Sequence, residues 1–565
     1  MRVGIATPAR RMLQLRPFRP PNFNSLRLSL SHSTLNPGPT SRPHIPYLSP
    51  PSRRLTARFV TTETKAWIKD EVKKGFKWTA YLYTFVFLFF VMGYGAHQEW
   101  TNRLYHPPPE WSWISRVQYM MANWHEDEEN MPGNYVQWVT IGSYYRILLL
   151  RLEDPNIDGA GLLEQGEGGI LVEGIGKTGY DISAKSESWR RGYYNALMGA
   201  AVSAEHLEDS VKDEKRRIIM PKSMVPGPSN PNPRPPPPGT KVESREEDCE
   251  KAYELPEVFY MRILTTRGFT EKQRVDAALG YAAYLDFKGT HNAAMNMYEW
   301  ALDIATENPS GSTPQPAIDR ATGILNPNAG PPSANLLAVT TAIAVHHALA
   351  SNISLALPIF LSVLRARRSL PEDPSSQSRL QATEEEKSGL IHAAISYARA
   401  ILIPPPYPPP PDDGTSPPKR TPKERCEEAG IMGNIGEILY ASKKSNRSKE
   451  EGLAWTREAV DIAEEQLTSA PLDKEAKTAC KQCLGAAIEN WDKMVARLAK
   501  EEKEAKAQGG KVGGWLGFGG EEQKDVIGRW ESEENVVRER IIRANELLVS
   551  LSAPPPARKG SFLTA

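Results

Sequence analysis

The sequence predicts an all-α protein: a single N-terminal transmembrane helix followed by a solenoid of helical hairpins. Three observations carry this. Residues 78–96, W-T-A-Y-L-Y-T-F-V-F-L-F-F-V-M-G-Y-G-A, hold no charge. At about 1.5 Å per residue they match the roughly 30 Å hydrocarbon core of a bilayer. From about residue 256 onward, apolar residues recur at helical spacing. No region shows the apolar–polar alternation of a half-buried strand.

The residues ahead of the span suggest an address. No Asp or Glu precedes Glu63, yet ten Arg do: Arg2, Arg10, Arg11, Arg16, Arg19, Arg27, Arg42, Arg53, Arg54 and Arg58. An Arg-rich, Ser-rich, acid-free leader has the composition of a mitochondrial import signal. Residues 1–60 are expected to be a disordered presequence, with an import helix in Gly4–Arg19 and processing near Arg58-Phe59. Lys65, Lys69, Lys73, Lys74 and Lys77 crowd the near side of the span, and Arg103 stands alone on the far side. Basic residues set topology more than acids do. Residues 61–77 are therefore expected in the matrix and everything after about Ala96 in the intermembrane space, with the chain crossing the inner membrane once.

The leader holds ten of the 69 Lys+Arg, leaving 59 against 68 Asp+Glu in the rest. An acidic body argues against nucleic acid, which needs a basic face. Four Cys are too few for a disulfide scaffold of this size. One span cannot build a transport pore.

Residues 97–255 read as a membrane-proximal helical region with Gly- and Pro-rich loops. His106-Pro107-Pro108-Pro109 suggests a stiff spacer. Trp111–His125 suggests an interfacial helix, since Trp and Tyr favour that layer. Asn134–Leu152 and Glu187–Asp209 are helix candidates. The Gly-rich Gly159–Tyr180 reads as a loop with a hairpin near Ile170-Leu171-Val172, and Pro226–Gly239 as a linker. Residues 256–551 read as the repeat domain, with a Pro-rich insertion at 404–422, and 552–565 as a disordered tail. Helices are expected at Pro256–Thr265, Lys272–Asp286, Asn292–Thr306, Asn335–Ser351, Ile353–Arg368, Glu384–Leu402, Pro422–Ser442, Lys449–Leu467, Lys474–Lys506 and Glu521–Leu551.

Three pairs of these helices keep the spacing of a tetratricopeptide repeat, a helix–turn–helix of about 34 residues. Small residues stand where two helices cross closely, and large ones fill the gaps beside them. Ile343-Ala344 precede Ala356, Phe360 and Val363. Leu279-Gly280 precede Ala294, Tyr298 and Ala301, with a longer turn. Ile435-Gly436 precede Gly452, Thr456 and Ala459, with a longer turn still. Leu484-Gly485 begins what would be a fourth pair. Such pairs stack into a superhelix with a concave face, built mainly by the first helix of each pair. Groove-facing candidates are Arg274, Tyr281, Tyr284, Val345, Glu437 and Tyr440.

No Ser/His/Asp, Cys/His or paired-carboxylate arrangement is visible, so no catalysis, metal or cofactor is expected. Gly174-Ile-Gly176-Lys177-Thr178-Gly179 matches G-x-G-x-x-G but opens no evident helix, which a phosphate site requires. His125-Glu126-Asp127-Glu128-Glu129 lacks a second His at helical spacing and reads as a solvated turn. His346 and His347 are adjacent on a helix and diverge. Cys480 and Cys483 stand three apart on a predicted helix, as a redox pair, a structural disulfide or two buried thiols.

The order of leader, span, Pro-Pro-Pro, Trp-rich segment and irregular repeats resembles the fungal tetratricopeptide subunit family of the inner-membrane i-AAA protease supercomplex. The resemblance runs from about Gly75 to Leu551. It is carried by Gly75–Pro109, by Thr178–Tyr194 (T-G-Y-D-I-S-A-K-S-E-S-W-R-R-G-Y-Y) and by Cys426–Leu467. It implies a non-catalytic adaptor that binds unfolded or misassembled membrane and intermembrane-space proteins and passes them to the protease, with ATP and zinc belonging to that partner. The alternatives are an assembly or stability factor for a respiratory-chain complex and a redox protein using Cys480 and Cys483.

Overall fold

A computed structural model describes residues 62–127, 130–131, 135–164, 171–172, 176–177, 179–235, 244–307, 316–372, 407–442, 446–469, 472–513 and 528–552. The leader, the helix expected at Glu384–Leu402 and the tail beyond 552 lie outside them. Contacts divide the chain into two units, Met1–Phe90 and Val91–Ala565.

Helix α1 (Thr62–Tyr105) is long and apolar enough to cross a membrane. Its residues in the first unit, 62–90, are all exposed, including Phe85, Phe87, Phe89 and Phe90. The uncharged run 78–96 within it is exposed along its length, which suits a lipid solvent. It extends beyond the expected span at both ends, since the flanking Lys, Glu and Trp residues permit helix. It stops at His106 (φ 45°), where Pro107 removes the next backbone donor.

The second unit is mostly helical. It continues with α2 (Trp113–Glu126), α3 (Trp138–Glu153), β1 (Leu163–Glu164), β2 (Leu171–Val172), β3 (Gly176–Lys177), β4 (Tyr180–Asp181) and α4 (Glu187–Leu207). Next come β5 (Ser210–Asp213), β6 (Ile218–Pro221), β7 (Cys249–Lys251), α5 (Pro256–Thr265), α6 (Glu271–Phe287) and α7 (His291–Thr306). Then follow β8 (Ile318–Asp319), β9 (Ile324–Leu325), α8 (Ala334–Leu349) and α9 (Ile353–Arg368). The chain closes with α10 (Pro422–Ala441), α11 (Asn446–Ser469), α12 (Lys474–Gly513) and α13 (Arg529–Ser552). The strands form small antiparallel sheets: β1 with β4, β2 with β3, β8 with β9, and a three-stranded sheet ordered β6-β5-β7. The β2–β3 hairpin was expected; the β6-β5-β7 sheet was not, because strands of three or four residues are too short to show alternation.

The Trp-rich segment is a packed helix rather than a purely interfacial one. Trp111, Tyr119, Met120 and Ala122 are buried, leaving Trp113 and Ile114 exposed. Asp158, beyond α3, accepts hydrogen bonds from Ser112 and Ser115 at 2.8 and 2.5 Å, and Arg151 donates to the same two hydroxyls. This ties the start of α2 to the end of α3. Pro107 and Pro108 are buried, so the proline run is packed and not a solvated spacer. The described part of the 226–239 segment also folds back, with the Arg234 N–H donating to the Ser223 carbonyl at 2.9 Å. The described part of the 404–422 insertion, from 407 on, returns to the body as well. Arg191 donates to the carbonyls of Pro408 and Pro409 and stacks over Tyr407.

From α6 onward the helices form successive hairpins. Three residues join α6 to α7 and α8 to α9, and connections this short return the chain antiparallel. Thr270 and Gln273 form a reciprocal cap at the start of α6. Ser333 and Thr421 cap α8 and α10. First helices of neighbouring hairpins run parallel. Asn335 and His346 on α8 bond to Glu271 and Asp286 on α6. Lys423 and Tyr440 on α10 bond to Glu475 and Met494 on α12. Second helices repeat the pattern, Glu450 and Asp461 on α11 pairing with Arg529 and Arg540 on α13. The residues expected at close crossings meet. A Cβ on Gly436 would stand 2.7 Å from the Gly452 carbonyl oxygen, and Ala344, Ala356, Phe360 and Val363 are all buried.

Candidate functional site

Three first helices, α8, α10 and α12, line a cavity of about 450 Å³, and α9 adds Arg367 to the lining. Much of the lining is small: Ala338 and Ala342 from α8, Gly430 and Gly433 from α10, Ala486 and Ala487 from α12. A Cβ at Gly430 or Gly433 would meet nothing within 4 Å, so the missing side chains are what keep the space open. Polar groups stand among them. Thr341, Asn434 and Asn490 reach the cavity from the three helices in turn. The Thr341 hydroxyl is engaged by the Leu337 carbonyl at 2.6 Å, whereas Asn490 donates to Glu437 at 3.3 Å.

The charged part of the lining, Arg367 and Glu427, is held in place. Arg367, its side chain nearly buried, pairs with Glu424 and with Glu427 at 2.8 Å. Arg368 and Arg420 grip Glu428 at 2.8 and 2.9 Å. Burial pushes the Glu424 carboxyl above its ordinary range despite the Arg367 charge. Cys483 also lines the cavity, and burial raises its thiol to about 11, so it is protonated and weakly nucleophilic near neutrality.

None of the six residues expected to face a groove lines this cavity. Arg274 pairs with Glu307 at 3.4 Å. Tyr281 is buried and stacks on Tyr260, which belongs to the preceding helix α5. The Tyr284 hydroxyl donates to Glu208. Val345 packs half-buried against the core. Tyr440 is buried and donates to the Met494 carbonyl at 3.0 Å. Glu437 is exposed beside the lining residue Asn490. The Tyr281 and Tyr440 rings are buried at helix contacts, and the cavity lining falls to small residues, whose only signal was Gly430, Gly433 and the Ala pairs.

The cysteines are also paired differently. Cys480 is bonded to Cys426 on the neighbouring first helix, and Cys483 is a free thiol. The parallel packing of α10 and α12 presents Cys426 to Cys480, while Cys483 turns towards the cavity. The G-x-G-x-x-G segment carries β3, then Gly179 at φ +91° and β4, and α4 starts only at Glu187. Comparison with protein-family models, with curated proteins and with solved structures finds no match to this chain.

Proposed function

We propose that this chain is a membrane-anchored, non-catalytic adaptor that holds unfolded segments of inner-membrane and intermembrane-space proteins and presents them to the i-AAA protease. The observation that carries the reading is the cavity between α8, α10 and α12, lined by glycine and alanine with Asn434 and Asn490 among them. Small side chains let an extended backbone approach, and carboxamides both donate to and accept from peptide groups without reading sequence. A binder of many clients needs that tolerance. The apolar helix α1 supports a tether, which raises the local concentration of the groove near membrane clients. The Cys426–Cys480 bond supports an oxidising compartment for the repeat region, in keeping with the intermembrane-space side. The stacked hairpins, with first helices parallel and second helices parallel, support a tetratricopeptide-like solenoid.

The test is to tag the C-terminus, solubilise mitochondria gently and identify what co-purifies. Recovery of the i-AAA protease, with slower turnover of its substrates when this chain is deleted, is the expected result. Recovery of a respiratory-chain complex without the protease would instead favour the assembly-factor reading.

A further inference from the structure

Away from the groove, three donors from three consecutive helices converge. Asp286 ends α6, His291 begins α7, and His346 lies in the last turn of α8. The Nδ1 atoms of His291 and His346 each stand 2.9 Å from Asp286 Oδ1, and the donor atoms of all three residues lie within 4.8 Å of one another. We propose that Asp286, His291 and His346 form a binding site for a divalent transition-metal ion, zinc above all, that clamps α6, α7 and α8 together.

The donor set fits that ion. Two imidazoles and one carboxylate, with a fourth position left to water, are a common zinc complement, whereas calcium and magnesium take oxygen ligands. Zinc–ligand bonds of about 2.0–2.1 Å in a tetrahedron separate neighbouring donors by about 3.3 Å. The two Asp286–imidazole separations of 2.9 Å reach that with shifts of a few tenths of an ångström. The Asp286 and His346 side chains are about 4–5% exposed and the His291 side chain 45%, so the buried pair fixes the geometry and His291 opens the fourth position to solvent. The Tyr298 hydroxyl donates to Asp286 Oδ2 at 3.0 Å and so orients the carboxylate from behind. The carboxylate thus accepts from His291, His346 and Tyr298 at once, which fixes its position between the two imidazoles. Each imidazole would bind through Nδ1 as a neutral ligand with its remaining proton on Nε2. The spacing is Asp286, then five residues to His291, then a distant His346. It matches no short metal motif, which is why it escapes a linear reading.

The experiment uses the full-length protein in detergent, stripped with chelator and dialysed against zinc chloride, with bound metal measured by mass spectrometry. Cobalt serves as a spectroscopic substitute. One zinc per chain is expected, with intense tetrahedral cobalt bands in the visible. His291→Ala, at a half-exposed position, is expected to keep the helical circular dichroism, weaken zinc binding at least tenfold and abolish the cobalt bands. Asp286→Asn is expected to do the same. Failure of the wild-type chain to take up zinc, or uptake by His291→Ala equal to wild type, overturns the proposal.

Discussion

Cys426 on α10 and Cys480 on α12 are joined by a disulfide, their Cα atoms 5.1 Å apart and their positions 54 residues apart in the chain. The bond staples the first helices of two successive hairpins and encloses all of α11. By loop-closure entropy, a crosslink of this span removes freedom from the unfolded chain worth up to about 4 kcal/mol. Cys480→Ser, or full reduction, is expected to lower the denaturation midpoint of the full-length protein, while Cys483→Ser leaves it close to wild type. Peptide mapping without reductant should recover Cys426 linked to Cys480.

Glycines within one helix are predicted to respond in opposite ways. Gly436 faces the Gly452 carbonyl across the α10–α11 crossing, so Gly436→Val forces the backbones apart and should cost about 1–3 kcal/mol or more. Gly433, one turn earlier, faces open space. Gly433→Leu should leave stability unchanged or raise it slightly, since Gly is a poor helix former, while filling the channel. Thermal denaturation separates the two, and loss of client capture by Gly433→Leu alone ties binding to the channel.

The Arg367 pairs make the edge of the channel fragile to single substitutions. Arg367→Met leaves Glu424 and Glu427 without their shared cation, and breaking one side of a buried pair typically costs about 3–5 kcal/mol. Urea denaturation of the variant should show a loss of that order. Arg447→Met, at an exposed i,i+4 pair with Glu451, should fall within about 0.5 kcal/mol of wild type.

Cys483 supplies a pH signature. Its thiol ionises near 11 in the fold against an ordinary value of 9. The unfolded chain therefore deprotonates first as pH rises. The contribution of this group to stability is complete below about pH 9 and is lost as pH climbs through about 11. Alkylation of Cys483 should be slow at pH 8 and accelerate towards pH 11, and peptide occupying the channel should slow it further. Rapid labelling at pH 7 would contradict its burial.

Helix positions were legible because their signals are local. Pro256 and Pro422 open α5 and α10 at the first helical residue, and Pro107 stops α1. The small–large alternation around Gly436, Gly452, Ala344 and Ala356 identified real crossings. What the sequence did not disclose depends on the relation between hairpins. The channel wall is defined by absent side chains, and an Ala or Gly on a concave face looks like one at a tight crossing. Tyr281 and Tyr440 were expected at the surface of a groove, yet each ring plugs a helix interface. Cys480 has a neighbour three residues away and a partner 54 away, and only the parallel packing of α10 on α12 selects the latter. The Pro-rich 404–422 segment reads only as an insertion between helices, because nothing local predicts Arg191 as the anchor of its residues 407–409.

The central claim is that the α8–α10–α12 channel holds client polypeptide. A photo-crosslinking amino acid placed at Asn434, inside the channel, tests it in intact mitochondria, with the same residue at the exposed Arg543 on α13 as the control. Crosslinks are expected from position 434 to newly imported, unassembled inner-membrane proteins, lost when Gly433→Leu is added, and few from position 543. Equal client labelling from both positions, or none from 434 while clients still co-purify, would contradict it.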